Sequence, residues 1–192
     1  MSTQDDAELV EPETIEGWTA WLAEHHADRA GVWLVTAKRS TGRQPFDYEA
    51  GVCEALRYGW IDAVKKTLDD ERAMQYYAPR RPTSGWARPN KIRIERLERE
   101  GLMEAPGRAV IDAAKANGTW TLLDDVEDLV VPSDLAAALD AHPGARAHWD
   151  DFPPSARKLI LTWIVTAKQP TTREKRVAET AEKAAEGLRA RT

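Results

Sequence analysis

The chain has 192 residues, of which 42% are hydrophobic and 31% are charged. This composition is typical of a globular chain and excludes an intrinsically disordered one, and the length suits one domain of ordinary size. Cys53 is the only cysteine, which excludes an internal disulfide and a cysteine metal cluster. The first residues lack the features of a signal peptide, and no apolar run approaches the roughly 18 residues of a membrane helix. These features predict a cytoplasmic protein without a membrane span.

The net charge of −5 is unevenly distributed along the chain. Residues 1–28 contain eight acidic side chains and no lysine or arginine, whereas residues 80–99 contain seven basic and two acidic side chains. This separation indicates either a charged partner or mutual neutralisation of the two segments within the fold.

The first third of the chain predicts helices that alternate with short strands. Residues 1–13 are acidic and are predicted to be flexible. A helix is predicted from about Thr14, and the apolar run Val32–Ala37 is typical of a buried strand. Asp47 is a suitable N-cap for the next helix, and Gly59 is a suitable residue to end it.

Residues 60–68 alternate in polarity as a second strand does, and residues 74–79 can form a third strand after a turn at Asp69. The alternative is a short helix that begins at Asp69, because good helix formers follow it. We expect the hairpin. Residues 14–118 are therefore predicted to form an α+β unit.

The remainder of the chain carries only helical signals. One helix is predicted from Ala87 or Arg88, another from Pro106, and an acidic loop is expected at residues 124–128. A helical C-terminal unit is predicted over residues 132–190. The predicted fold class is α+β, with a small two- or three-stranded sheet and packed helices first and an all-helical part after it.

Two helix starts in the C-terminal unit have recognisable capping residues. Ser133 is predicted to cap the first helix of this unit. Thr171 and Glu174 have the spacing of a capping box for the last helix.

The sequence lacks the common catalytic and cofactor motifs. It contains no dinucleotide-binding G-x-G-x-x-G, no P-loop, no H-E-x-x-H zinc motif and no G-x-S-x-G nucleophile elbow. Its four histidines are not spaced as shared metal ligands. No metal and no cofactor are therefore predicted.

The basic segment after the predicted hairpin is the strongest candidate for a binding site. Arginine side chains offer planar forks for phosphate or carboxylate, and a helix N-terminus adds free N–H groups. The alternative is an ordinary tight loop anchored by a tryptophan. The candidate ligand-binding residues are Trp60, Asp62, Arg80, Arg81, Ser84, Trp86, Asn90 and Lys91.

Asp62 is central to this hypothesis, because it shares an alternating strand face with Trp60. A carboxylate on an apolar face is costly unless it is paired or reaches solvent at a cleft. The hairpin would bring Arg80 and Arg81 back beside Asp62, so that an arginine engages a ligand anion and Asp62 orients it. The alternative is a purely structural bridge between Asp62 and Arg80, buried beneath Trp86.

A possible second cluster lies near the start of the last helix. Its residues are Lys168, Thr172, Arg173 and Arg176. These side chains form either a second ligand site or a solvated or structural helix start.

Several separate motifs occur in one order along the chain. They are W-x-x-x-x-K at residues 33–38, G-W-I-D at 59–62, P-R at 79–80, S-x-W-x-x-x-N at 84–90 and A-K-x-x-T-T-R at 167–173. With these motifs, roughly residues 30–185 resemble the YdeI/OmpD-associated (bacteriocin-protection) family. Ala87 departs from the family pattern, which usually has serine there.

The resemblance implies a bacterial protein linked to protection against bacteriocins or cationic antimicrobial peptides, and it supplies no enzymatic residues. We expect a non-enzymatic protein that binds a small anionic ligand or a protein partner. One alternative is an enzyme that acts on a small anionic ligand beside Arg80 and Trp86. Another is a nucleic-acid-binding module that uses residues 91–99, although the negative net charge opposes it and we expect no nucleic-acid partner.

Overall fold

The computed structural model describes residue 4 and residues 6–42 and 47–192. The chain divides into two compact units. Residues 1–84 and 89–119 form the first unit, and residues 85–88 and 120–192 form the second unit. The α+β class predicted from the sequence is confirmed, with an N-terminal sheet and a helical C-terminal part.

The strands are β1 (Glu8–Val10), β2 (Val32–Ala37), β3 (Trp60–Thr67) and β4 (Arg72–Pro79). The helices of the first half are α1 (Ile15–His25), α2 (Tyr48–Arg57), α3 (Arg88–Arg99) and α4 (Ala105–Ala116), with a short 3-10 turn at Arg39–Thr41. The helices that follow are α5 (Asp124–Glu127), α6 (Ser133–Ala141), α7 (Ala145–Asp151), α8 (Pro154–Val165) and α9 (Pro170–Ala185).

The β3–β4 hairpin is confirmed, and the helical alternative for this region is wrong. The sheet has the strand order β1-β2-β4-β3, in which β4 pairs antiparallel with both β2 and β3. Asp69 explains the outcome, because its Oδ1 accepts hydrogen bonds from the backbone N–H groups of Glu71 at 3.0 Å and Arg72 at 2.7 Å. This aspartate turn satisfies the backbone locally and returns the chain as a strand.

The expected number of strands was wrong, because β1 adds a fourth strand that lies parallel to β2. Residues 8–10 were predicted to be flexible, and a segment of three residues is too short to show a periodicity. Contacts from distant residues hold this strand in place. Arg29 Nε donates to Glu8 at 3.2 Å, and Trp33 Nε1 donates to the carbonyl oxygen of Gln4 at 2.8 Å. Residues 1–3 and 5 of the predicted flexible segment lie outside the described residues.

The core of the first unit is an aromatic cluster between α1 and the sheet. The ring centroid of Trp18 lies 5.3 Å from that of Tyr77, and Trp21 meets Trp60 edge to face at 5.8 Å. Trp60 is 1% exposed, and its Nε1 donates to the carbonyl oxygen of His26 at 3.0 Å. Apolar burial of such large rings is the main source of stability in this unit.

The second unit is helical, and its core is contributed by every helix from α5 to α9. The fully buried side chains in this core include Leu135, Leu139, Trp149, Ile160 and Ile164. No strand occurs after residue 132, as the periodicity predicted for the C-terminal part. Within the described residues, no helix has both the length and the apolar character that crossing a bilayer requires.

Three local predictions for the second half were wrong. The acidic loop at residues 124–128 contains a single helical turn, α5. The N-cap of α6 is Pro132, without a side-chain cap, so Ser133 is already helical. The N-cap of α9 is Gln169. Pro170 occupies the first helical position, which its fixed φ favours, and this places Thr171 inside the helix instead of at its cap.

Replacing Gly107 with alanine tests the packing of α4 on the end of α2. A Cβ at Gly107 would overlap the carbonyl oxygen of Arg57 and would lie 2.7 Å from Met103 Cε. Because a backbone atom cannot move aside cheaply, we expect Gly107→Ala to lower the free energy of unfolding by about 2–4 kcal/mol, measured by urea denaturation.

Gly118→Ala is the control for this substitution. Gly118 lies just after the end of α4, has a φ of +80° and has no atom within 4 Å of a built Cβ. It should therefore cost only the left-handed backbone penalty of about 1–2 kcal/mol. Equal losses in the two variants would contradict a steric role for Gly107.

Candidate functional site

The first turn of α2 organises the polar surface of the first unit. Asp47 is its N-cap, as predicted, and its side chain accepts a hydrogen bond from the backbone N–H of Glu49 at 3.2 Å. The next two side chains lead to different elements. Tyr48 bonds to Asp62 of β3, and Glu49 bonds to Arg93 of α3.

The Asp62 network consists of Tyr48, Asp62, Gln75 and Arg80. The hydroxyl of Tyr48 donates to Asp62 Oδ2 at 2.8 Å. Gln75 Nε2 lies 3.4 Å from the same oxygen and donates to the carbonyl oxygen of Ala63 at 3.2 Å. Tyr48 is 51% exposed, so this network reaches solvent on the side of α2.

A strand irregularity ends the alternation on which the prediction for Asp62 depended. The β3–β4 register shifts between Asp62 and Lys65, and Val64 is exposed. The alternation therefore holds for Trp60 and Asp62 but ends there. Such bulges twist an edge strand and re-aim its side chains.

Arg80 is a largely buried cation in this network. The residue is 9% exposed, and its backbone N–H donates to the carbonyl oxygen of Gly59 at 2.9 Å, directly beyond the end of β4. Burial lowers the pKa of the Arg80 guanidinium to about 10, and the negative charge of Asp62 partly offsets this effect. The hairpin thus places Asp62 near enough for its charge to act on Arg80.

The two tyrosines of this region are held in the protonated form. Partial burial, together with the hydrogen bond and charge of Asp62, raises the pKa of Tyr48 to about 12. Burial, followed by the charge of Asp62, also raises the pKa of Tyr77. At neutral pH both hydroxyl groups are therefore hydrogen-bond donors and not bases.

The Glu49 network consists of Glu49, Cys53, Asn90, Arg93 and Arg96. Arg93 forms a forked ion pair with Glu49, with its Nε 3.0 Å from both carboxylate oxygens and its Nη2 2.6 Å from Oε2. Arg93 Nη1 also donates to Asn90 Oδ1 at 2.7 Å. The hydrogen bond from Arg93 lowers the pKa of Glu49, so this carboxylate remains ionised.

Arg96 lies one helical turn after Arg93. Its Nη2 donates to the sulfur of Cys53 at 2.9 Å and lies 3.6 Å from Glu49 Oε1. Burial raises the pKa of the Cys53 thiol, and the positive charge of Arg96 opposes this shift. Cys53 is thus a buried, protonated thiol, as predicted for a small buried residue.

The predicted ligand-binding residues are not all placed together. Asp62 and Arg80 share the Asp62 network, and Asn90 belongs to the Glu49 network. Trp60 lies in the aromatic core and offers almost no surface to a ligand. Trp86 belongs to the second unit, where it is 2% exposed and its ring lies 5.0 Å from that of Trp120.

The remaining predicted residues lie near the surface. Arg81 is exposed, and the backbone N–H of Ser84 donates to its carbonyl oxygen at 3.0 Å, which closes a turn. Lys91 lies in the first turns of α3 and is partly exposed.

The possible second cluster is partly engaged by its own unit. Arg173 forms a forked ion pair with Asp134, at 2.7 and 3.0 Å. Arg176 Nη1 donates to the carbonyl oxygen of Trp163, and its guanidinium carbon lies 5.1 Å from the ring centroid. Lys168 is exposed, and Thr172 is partly exposed at the start of α9.

Sequence reasoning missed Tyr48, Glu49, Gln75, Arg93 and Arg96. Asn90, Arg93 and Arg96 recur at intervals of three, which places them near one another on a helix, and this signal was available. Tyr48 and Gln75 could not be found in this way, because their shared partner, Asp62, lies on a different element. Within the described residues, no group of three or more histidine, cysteine or acidic side chains could hold a metal ion.

The protein is an α+β protein with an N-terminal sheet, packed helices and a helical C-terminal unit. Two family models match different segments of the chain. Residues 10–110 match the family described as Domain of unknown function (DUF8412), and because this match covers more than half of the chain, the chain belongs to that family. Residues 128–187 match the family described as Bacteriocin-protection, YdeI or OmpD-Associated. No curated protein and no solved structure matches the chain.

The second match confirms, over residues 128–187, the family resemblance that the sequence motifs indicated. The motifs predicted a resemblance over roughly residues 30–185, and this extent is wrong, because the YdeI/OmpD-associated match begins at residue 128. The motifs at residues 33–90 lie within the match to the domain of unknown function.

Replacing Tyr48 with phenylalanine tests the hydrogen bond to Asp62. Since the pKa of Tyr48 is raised from 10.0 to about 12, its contribution to stability is fully present below pH 10 and is lost as the pH rises through 12. We expect Tyr48→Phe to be less stable than wild type by about 1 kcal/mol at neutral pH. This difference should shrink between pH 10 and 12 in urea denaturation.

Asp62→Asn provides an independent measurement of the same contact. Without the carboxylate, the pKa of Tyr48 should fall toward 10, as read from the ¹³C shift of the labelled tyrosine ring. An unchanged tyrosine titration, together with a pH-independent effect of Tyr48→Phe, would contradict this assignment.

Proposed function

We propose that this protein is a non-enzymatic binding protein for a small anionic ligand, and that it acts in the bacterial cytoplasm in protection against bacteriocins or cationic antimicrobial peptides. The protective setting is taken from the description of the family that matches residues 128–187. The binding function is argued from the Asp62 network.

The observation that carries the proposal is the environment of Arg80. Removing a guanidinium from water is costly, and the lowered pKa of Arg80 expresses that cost. The charge of Asp62 offsets part of it. A ligand anion that approaches Arg80 would offset more, and a charge-assisted hydrogen bond is stronger in such a weakly hydrated setting than at the open surface.

The other members of the network have distinct roles in this proposal. Asp62 orients the ligand, and the Tyr48 hydroxyl and the Gln75 amide set the orientation of Asp62 through their contacts at 2.8 and 3.4 Å. Because Tyr48 is half exposed while Arg80 is buried, the ligand would enter from the side of α2.

Binding is favoured over catalysis by the protonation states of these groups. A general base that operates near neutral pH needs a pKa close to that pH. The pKa of Tyr48 is raised to about 12, and the pKa of Tyr77 is also raised, so both move away from that range. The network therefore supplies fixed donors and charges that suit recognition of an anion.

Arg80→Lys tests the proposed ligand contact. Inorganic phosphate is the probe, titrated into the purified protein and followed by ¹H–¹⁵N NMR. Lysine keeps the charge but loses the planar fork, so we expect Arg80→Lys to bind phosphate at least tenfold more weakly than wild type. Arg108→Lys is the matched control, since Arg108 is exposed and pairs with Glu98, and it should bind as wild type does.

The same variants test the biological setting. Bacteria that express the wild-type chain should survive a challenge with polymyxin B better than cells that carry an empty vector. Arg80→Lys should lose this advantage while its melting temperature stays close to that of wild type. If Arg80→Lys loses only thermal stability and keeps phosphate binding, Arg80 is a structural residue and the proposal fails.

We also predict that the protein does not bind nucleic acid. Two arginines of α3 have close acidic partners, since Arg93 pairs with Glu49 at 2.6 Å and Arg88 pairs with Asp128 at 2.7 Å. Fluorescence anisotropy should show no binding of labelled duplex or single-stranded DNA by micromolar protein at about 150 mM salt. Binding that falls steeply as salt rises would show that α3 contacts phosphates and would overturn this prediction.

A further inference from the structure

A groove beside α3 is lined by apolar side chains and by an arginine of which only some N–H groups donate hydrogen bonds within the protein. Its volume is about 260 Å³, and its lining residues are Glu49, Pro89, Ile92, Arg93 and Arg96. Ile92 is 59% exposed although it lies on a helix whose other large aliphatic side chains, Ile94 and Leu97, are buried. A single exposed isoleucine is ordinary, and Ile92 is distinguished by the arginine side chains that line the same groove.

The guanidinium of Arg96 has hydrogen-bonding capacity left over. Its side chain is 43% exposed, and its contacts with Cys53 and Glu49 both use Nη2. Within residues 6–42 and 47–192, its Nη1 and Nε donate to no protein acceptor. Arginine has five N–H donors, so this side chain can still donate a hydrogen bond to a ligand carboxylate.

The local charge favours an anion. Arg93 and Arg96 carry two positive charges at the groove, and Glu49 carries one negative charge, which leaves one positive charge in excess. Arg93 makes three contacts to Glu49 and one to Asn90, and these contacts fix its orientation at the groove. Arg96, with its single close hydrogen bond, is the side chain that can turn toward a ligand.

We propose that this groove binds a short aliphatic monocarboxylate. The carboxylate would accept a hydrogen bond from Nη1 of Arg96, and the alkyl chain would cover Ile92 and Pro89. Hexanoate, with eight non-hydrogen atoms, is small enough for a groove of about 260 Å³. Phosphate offers no apolar part for Ile92, so the groove is distinct in chemistry from the Asp62 network.

Titration with hexanoate tests the proposal, with binding followed through the Ile92 methyl and Arg96 Nε–H signals in NMR spectra of the whole chain. We expect saturable binding with a Kd on the order of 1 mM, given the small size of the ligand. Acetate should bind at least tenfold more weakly because it lacks the alkyl chain, and hexylamine should not bind because its charge is reversed.

Substitutions at Arg96 and Ile92 test the carboxylate contact and the alkyl contact separately. Arg96→Gln should reduce hexanoate affinity at least tenfold, and Arg96→Lys, which keeps the charge, should recover part of it. Ile92→Ser should weaken hexanoate binding and leave acetate binding unchanged. Arg99→Gln and Leu102→Ser are the matched controls, since both residues are exposed, and both variants should bind as wild type does.

The outcomes distinguish this site from the proposed Arg80 site. Hexanoate binding that survives both Arg96→Gln and Arg96→Lys unchanged would overturn the proposal, and so would equal affinities for acetate and hexanoate. Loss of hexanoate binding in Arg80→Lys, with Arg96 variants unaffected, would place the ligand in the Asp62 network and would also overturn it. Unchanged hexanoate binding in Arg80→Lys supports two separate sites.

Discussion

The burial of the Arg80 guanidinium is the constraint that shapes the first unit. A cation that is 9% exposed needs nearby negative charge, and Asp62 supplies it from the neighbouring strand. Asp62 in turn needs donors, which Tyr48 and Gln75 provide. Satisfying these groups requires β3, β4 and α2 to meet at one place, so the polar network and the hairpin depend on each other.

The same requirement explains the position of α3. Glu49 follows Tyr48 directly, and its carboxylate receives the fork of Arg93, with Arg96 nearby. One turn of α2 therefore connects the sheet on one side with α3 on the other. Part of the positive charge of residues 80–99 is therefore neutralised within the fold, since Arg93 pairs with Glu49 and Arg88 pairs with Asp128. Of the two interpretations of the charge asymmetry, pairing within the fold accounts for these arginines, although the acids involved are not those of residues 1–28.

An element could be predicted from the sequence when the interactions that form it are local in the chain. The strand Val32–Ala37 and the helix after Asp47 were found because apolar period and capping are local properties. The strand Glu8–Val10 was missed because it exists through its pairing with β2 and through contacts from Arg29 and Trp33. The capping box at Thr171 failed because Pro170 competes for the same helix start.

For the site, the sequence by itself indicated that Asp62 needs a partner and that a hairpin would bring Arg80 and Arg81 toward it, because both conclusions depend on alternation and turn chemistry. Tertiary structure alone decided that Tyr48, Gln75 and Glu49 belong to the surrounding networks, since their partners lie 13 to 44 residues away in the chain. It also decided that Trp60 is a core residue and that Trp86 belongs to the second unit. The physical reason is that burial and long-range hydrogen bonding are properties of the packed chain, which no local pattern of residues encodes.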